Sequence, residues 1–248
     1  MILNYVLRFG TFVSRPNRFI AHINVDGEIV VSHIPNTGRL KELLFPGAFV
    51  ILSYHPSKSR KTQYELRMVK KNDCWVSIDS QLPNSLAYEA IHNGVIKELA
   101  GYTNIKREVT YKNSRFDLQL TKALPSDSNG KHNGCTENAG RRDNTCFVEV
   151  KGVTLEREGW SYFPDAPTER GRKHIDELIH AVKEGYRAAL LFVVQMEQVT
   201  GFSPNTATDS DFAEKVKEAV AAGVDVLSYR CMVTPNEVKI TDKLSFIC

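Results

Sequence analysis

The chain has 248 residues, 42% hydrophobic and 25% charged, with a formal net charge of +3. That supports one large core or two small ones, and a charge balance that permits a nucleic-acid partner without demanding one. No apolar run approaches the roughly 20 residues of a membrane span, no signal-peptide pattern opens the chain, and five scattered cysteines without a CxxC pair exclude a disulfide framework and a cysteine zinc site. These features read as a soluble cytoplasmic protein with no membrane partner.

Residues 1–82 read as short strands separated by turn signals. "RFIAHINVDGEIVVSHI" is two alternating runs joined by Asp26-Gly27, a strong hairpin signal. "AFVILSYH", "YELRMVKK" and "CWVSID" follow. The expectation is a small all-β unit, a five-stranded barrel of the OB type.

Residues 83–248 change character. In "QLPNSLAYEAIHNGVIKELAG", Leu86, Ala90, Ile91, Val95 and Leu99 recur at helical spacing, with Asn84 or Ser85 as cap and Gly101 as stop. Two strands, "KREVTYKN" and "RFDLQLT", come next. Residues 123–145 hold almost no apolar side chain and read as an exposed, mobile insertion. The strand "CFVEVKGVTL" is followed by a helix beginning at Pro167 and Thr168, with Ile175, Leu178, Ile179 and Val182 on one face. The buried strand "AALLFVVQM", the helix "SDFAEKVKEAVAAG" and the strand "VDVLSYRCMV" complete a mixed-sheet α/β layer domain.

The charges inside two apolar strands carry the chemistry. Glu149 and Lys151 stand two apart, so they share one face of a strand. Asp117 lies between Phe116 and Leu118 on another strand, and Glu89 lies beside the apolar face of the first helix. Acids are rarely buried unless paired or bound to metal. If the two strands are neighbours, Asp117 and Glu149 converge, each raising the pKa of the other, and a divalent cation relieves the repulsion. Hard oxygen ligands suit Mg²⁺ or Mn²⁺. Lys151 would handle the attacking water and the phosphate, which is the chemistry of phosphodiester hydrolysis.

Acid, then acid-x-Lys on the next strand, within an α-β-β-β-α-β frame, resembles the PD-(D/E)xK nuclease superfamily. Asp117, Glu149 and Lys151 match its core positions, and Glu89 matches the acid many members carry on the first helix. A more extensive resemblance is to the sugar fermentation stimulation protein A family. It is carried by "PNTGRL", "NSRFDLQL", "FVEVKGVTL", "YFPDAPTERGRKHIDEL" and "GFSPN". The resemblance implies a DNA-binding protein with an OB-like N-terminal part and a restriction-endonuclease-like C-terminal domain, genetically linked to sugar utilisation. Two features depart from that family: the length of the 123–145 insertion, and Gly152 where members often carry Asn or Ser.

Basic segments add candidate nucleic-acid contacts. Arg170, Arg172 and Lys173 open the helix in "TERGRKH", where cations oppose the helix dipole and so point to phosphate; His174 in the same run has no assigned role. Arg39 and Lys41 follow the turn in "PNTGRLKELL", which reads equally as a turn and helix cap. The basic hairpin at 55–71 carries Tyr64 and suits single-stranded nucleic acid, or a solvated face. Asp165 reads as a cap or as a group holding Lys151 or a metal-bound water, and Gln195 has the same two readings. The expected function is metal-dependent cleavage of DNA, with RNA the other candidate. The alternative is a non-enzymatic DNA-binding regulator on a nuclease fold. Oligomeric state is open; a homodimer would suit double-strand cutting, but no residue argues for it.

Overall fold

The computed structural model describes residues 1–4, 6–57, 61–112, 114–123, 142 and 144–248. Nearly all of the insertion expected at 123–145, and positions 58–60 of the basic hairpin, lie outside the described residues.

The N-terminal strands are β1 (Val6–Asn17), β2 (Ile20–Val25), β3 (Glu28–His33), β4 (Phe49–Tyr54), β5 (Tyr64–Lys71) and β6 (Cys74–Ser77). Asp26 and Gly27 both take positive φ, 53° and 91°, as a two-residue type I′ turn requires. The ladder runs β3-β2-β1-β4-β5-β6, and a parallel pairing of β3 with β5 closes it. Closure through β1-β2-β3-β5-β4 is the OB arrangement. Phe12, Ile23, Val50, Leu52, Leu66 and Val69 fill its interior.

Helix α1 (Leu82–His92) lies against the second unit. It begins two residues before Asn84, so Asn84 sits in its first turn and does not cap it. It ends near Gly94, at φ +70°, well short of Gly101. A 3₁₀ turn (Lys97–Leu99) leads to β7 (Asn104–Tyr111), β8 (Ser114–Thr121) and β9 (Thr145–Val153). A hairpin that periodicity did not reveal follows, β10 (Leu155–Arg157) and β11 (Trp160–Phe163). Then come α2 (Glu169–Lys183), β12 (Arg187–Val194), β13 (Gly201–Pro204), α3 (Ser210–Ala221), β14 (Asp225–Thr234), β15 (Glu237–Lys243) and β16 (Ser245–Phe246).

The main sheet has the order β15-β14-β12-β9-β8-β7. Its centre is parallel, β9-β12-β14, and its flanks are antiparallel. The central β12 is apolar and buried from residue 188 to residue 194 because both faces are covered there. Leu118, Val148, Val150, Ala189 and Leu191 pack with α1 on one face. Phe147, Leu190, Phe192 and Phe212 pack with α2 and α3 on the other. A small sheet, β10-β11-β13-β16, flanks them. The barrel docks through Ile51 and Met68, which share a core with Leu82 and Leu86 of α1. Among the described residues, no helix is long and apolar enough to cross a membrane.

Candidate active site

Asp117 and Glu149 meet where two strands part. The β8–β9 ladder runs from Thr121↔Thr145 to Leu118↔Val148 and stops. Beyond it, β9 continues along β12 as far as Val153↔Val194. The Val150 N–H, released from the first ladder, donates to Asp117 Oδ2 at 2.8 Å. On the outer side of β8, Glu108 of β7 lies between Arg107, paired with Leu118, and Val109, paired with Phe116, in a left-handed conformation, φ +52°. Phe116 joins an aromatic cluster with Tyr111 and Phe147 at 5.5 and 5.0 Å, while Leu118 enters the core beneath α1. Asp117 stands between the two cores. Non-glycine residues with positive φ are uncommon and cluster at functional sites.

Asn84, from the first turn of α1, donates to Asp117 Oδ1 at 2.7 Å. Glu149 is 2% exposed. Its Oε1 accepts from Lys151 Nζ at 2.6 Å and contacts His174 Nδ1 from α2. Lys151 Nζ also lies 3.4 Å from His174 Nδ1. Glu149 Oε2 is buried with no partner among the described residues. These groups, with Arg170, line a cavity of about 220 Å³.

The two carboxyls are driven apart electrostatically. Burial, and then the charge on Glu149, push Asp117 above the usual carboxylate range, against the pull of the Val150 N–H and Asn84. Burial would push Glu149 up too, but the His174 hydrogen bond and the Lys151 charge outweigh it and hold Glu149 low. Paired carboxyls with separated pKa values mark functional sites.

The structure brings Asp117, Glu149 and Lys151 together and leaves Glu89 out. Glu89 ion-pairs with the N-terminal ammonium at 3.2 Å. It lies five residues beyond Asn84 on α1, hence about 140° further round the helix. The helix therefore offers the site an amide where sequence reasoning placed an acid. Arg172 is engaged elsewhere, making two contacts of 2.8 and 2.9 Å with Asp209, the cap of α3. It ties two helices together and is not a free phosphate contact. Arg170 and Lys173 are exposed on α2, and Arg39 and Lys41 are exposed on the loop after β3. His174, which had no assigned role, touches both central charges. Its only sequence signal was its place one turn into a helix that packs over β9.

Asp165 does not reach α2 as a cap. Thr168 fills that role, accepting from the Gly171 N–H at 3.0 Å. Asp165 accepts instead from the Arg39 N–H at 2.8 Å, fastening the barrel loop to the second unit. Gln195 sits beside Gly152, next in the chain to Lys151: a Cβ placed on Gly152 would lie 3.3 Å from Gln195 Nε2.

Among the described residues no three His, Cys, Asp or Glu side chains form a ready metal cluster. The donor set is a pair of carboxylates, one with an unused buried oxygen. Mg²⁺ is held by one or two carboxylates and otherwise keeps water or takes phosphate oxygens, so these residues fit a hard divalent ion.

A family profile described as "Sugar fermentation stimulation protein RE domain" matches residues 81–237, and one described as "SfsA N-terminal OB domain" matches residues 13–78. The chain is 44% identical to a sugar fermentation stimulation protein homolog of Thermoanaerobacter sp. (strain X514), over 100% of both chains. It is 42% identical to the homolog of Clostridium perfringens (strain 13 / Type A), again over 100% of both. Among solved structures it resembles Pyrococcus furiosus SfsA, described as a complex with Ca²⁺, with a TM-score of 0.83 and 29% identity over 100% of each chain. The architecture is thus an OB-like domain followed by a mixed-sheet, restriction-endonuclease-like α/β domain.

Proposed function

This chain belongs to the sugar fermentation stimulation protein family, and from that premise we propose that it is a DNA-binding, divalent-metal-dependent phosphodiester hydrolase of the cytoplasm. RNA is the second substrate the same chemistry would serve. One observation carries the reading: the unused Glu149 Oε2, buried beside Asp117 with Lys151 Nζ in reach. A relative described in complex with Ca²⁺ supports a hard-cation site. Bound at Asp117 and Glu149, Mg²⁺ or Mn²⁺ would acidify a water and neutralise phosphate charge. Asn84 and the Val150 N–H hold Asp117 in place. His174 holds Glu149 and flanks Lys151. The Lys151 ammonium, shared between Glu149 and an incoming phosphate, donates to a non-bridging oxygen and orients the attacking water. Arg170 and Lys173 contact flanking phosphates, and residues 1–82 contribute Arg39 and Lys41 to the same strand.

One observation favours a second reading, a DNA-binding regulator that does not cut. Lys151 and His174 already compensate Glu149, so its charge alone does not demand a metal. In either case the link to sugar utilisation is through nucleic acid. The test is incubation of labelled single- and double-stranded DNA and RNA with Mg²⁺ or Mn²⁺, against EDTA and Glu149→Ala controls. Metal-dependent cutting lost in the variant supports the hydrolase. Binding without cutting in every arm supports the regulator.

A further inference from the structure

Beside the carboxylates a second cavity opens between the barrel and the α/β domain. It has a volume of about 400 Å³ and shares Ser80 with the cavity holding Asp117 and Glu149. Gly152, next to Lys151, forms part of its floor. One wall is the barrel loop, with Asn36, Gly38 and Arg39; the other is Tyr162, Pro164 and Asp165 of the α/β domain.

This wall-to-wall arrangement is rigidly built. The Arg39 N–H donates to Asp165 Oδ2 at 2.8 Å. A Cβ on Gly38 would lie 2.7 Å from that same oxygen, so a larger residue would have to displace the Asp165 carboxylate. Asn36 Oδ1 accepts from the Gly38 N–H at 2.7 Å, and its Nδ2 donates to the Ile78 carbonyl at 2.8 Å. Arg15 braces the loop from behind, donating to the Arg39 carbonyl at 2.6 Å. The cleft is therefore formed before any ligand arrives.

Two polar side chains in it are available. Gln195 is 1% exposed. Its Oε1 accepts a long bond of 3.5 Å from Ser77, and its Nε2 stands over Gly152 on the lining of the cleft. The Thr154 hydroxyl, also on the lining, makes no hydrogen bond among the described residues. An amide donor that lines a cleft is available to an acceptor that enters it. Tyr162 supplies an aromatic surface and the exposed Arg39 a cation at the rim.

Resting on the hydrolase reading above, we propose that this cleft receives one unpaired nucleotide next to the phosphate that Lys151 Nζ would contact. The substrate class is then single-stranded or locally unpaired nucleic acid. Gln195 Nε2 and the Thr154 hydroxyl bond the base edge, Tyr162 covers its face, and Arg39 meets the flanking phosphate. The volume lies at the small end of ligand pockets, roughly 300–1,000 Å³, and its walls belong to two domains fastened together. A paired base can enter only by leaving its stack, which costs a few kcal/mol in a duplex and little in a single strand.

The test is equilibrium binding in EDTA, where no cutting intervenes. The probes are single-stranded DNA and RNA of one sequence, the matched duplexes, and duplexes carrying a one-nucleotide bulge. Single strands and bulged duplexes should bind on the order of tenfold tighter than perfect duplexes. Gln195→Met, which keeps volume but removes the donor, should weaken those two by about 5- to 10-fold while leaving duplex binding and the salt dependence unchanged. Thr154→Val, which preserves shape, provides an independent reading if Gln195→Met folds poorly. Perfect duplex bound as tightly as single strand, no single-strand binding, or both variants within twofold of wild type would overturn the proposal. Because this assay contains no metal, its result stands by itself, and failure to cleave in the separate incubation with Mg²⁺ or Mn²⁺ sinks only the hydrolase.

Discussion

Gly152 offers a sharp test of how the site is assembled. It follows Lys151 directly, and a Cβ there would lie 2.7 Å from Pro83 Cγ and 3.6 Å from Pro83 Cβ. Pro83 is buried in the first turn of α1, and its ring cannot swing away as a flexible side chain would. The adjoining Asn84 holds Asp117. Gly152 does not have positive φ, so without the overlap alanine would stabilise the protein by about 0.4–1 kcal/mol through the unfolded chain. Overpacking of this kind typically costs about 1–3 kcal/mol. The expected net is destabilisation by about 1–2 kcal/mol, or a Tm lowered by about 2–8 °C for a chain of this size. Calorimetric melting and urea unfolding of Gly152→Ala measure it. Mg²⁺ affinity should fall in parallel, because the movement that relieves Pro83 also displaces Asn84. An unchanged or raised Tm would refute the claim that α1 is seated on β9 through this glycine. The same overlap explains why the Asn or Ser expected from the family resemblance would not fit here.

Four other outcomes are expected. Asp209→Ala removes a helix cap and the partners of Arg172 and the Thr168 N–H, and should cost about 2–4 kcal/mol in urea unfolding. Burial would push Asp209 up, but its N–H donors and Arg172 hold it low; its contribution is therefore present above the unfolded value of about 3.9 and is lost as pH falls through the folded value, so Asp209→Asn should blunt the loss of stability on acidification. Lys151→Met should abolish cleavage and destabilise by about 3 kcal/mol, by leaving Glu149 short of its countercharge; adding Glu149→Gln should recover part of that loss, a coupling a double-mutant cycle reads directly. Arg170→Ala and Lys173→Ala should each lower nucleic-acid affinity and reduce the salt slope by about 1, whereas Arg172→Ala should register in stability. Mg²⁺ or Ca²⁺ at 100 times its Kd should stabilise the wild type by about 2.7 kcal/mol, and Glu149→Gln should remove that shift.

What the sequence revealed about the site came from alternation. Glu149 and Lys151 share a face because a strand has period two, and Asp117 stood out as a lone acid between apolar neighbours. The hairpin at Asp26-Gly27 was legible from turn chemistry and the start of α2 from Thr168. What stayed hidden depended on tertiary placement. His174 meets Glu149 only because α2 crosses β9, and no local pattern encodes that crossing. Asn84 meets Asp117 and Glu89 does not because the two lie about 140° apart round α1, and Asn84 is on the side that faces β8. Arg172 looked like one more cation in a basic run until α3 brought Asp209 to it. The β10–β11 hairpin and the closing strands β13 and β16 are too short to carry periodicity of their own. The left-handed conformation of Glu108 has no signature in its own residue type.

Under the proposed function, Asp117 and Glu149 form a divalent-ion site poised for phosphodiester chemistry. The most direct test is a crystal of the protein grown with Mn²⁺ and measured for anomalous scattering. A peak ligated by Asp117 and by Glu149 Oε2 is expected, with Lys151 Nζ still within reach of the site. No peak there at saturating Mn²⁺, with Lys151 and His174 alone satisfying Glu149, would contradict that reading.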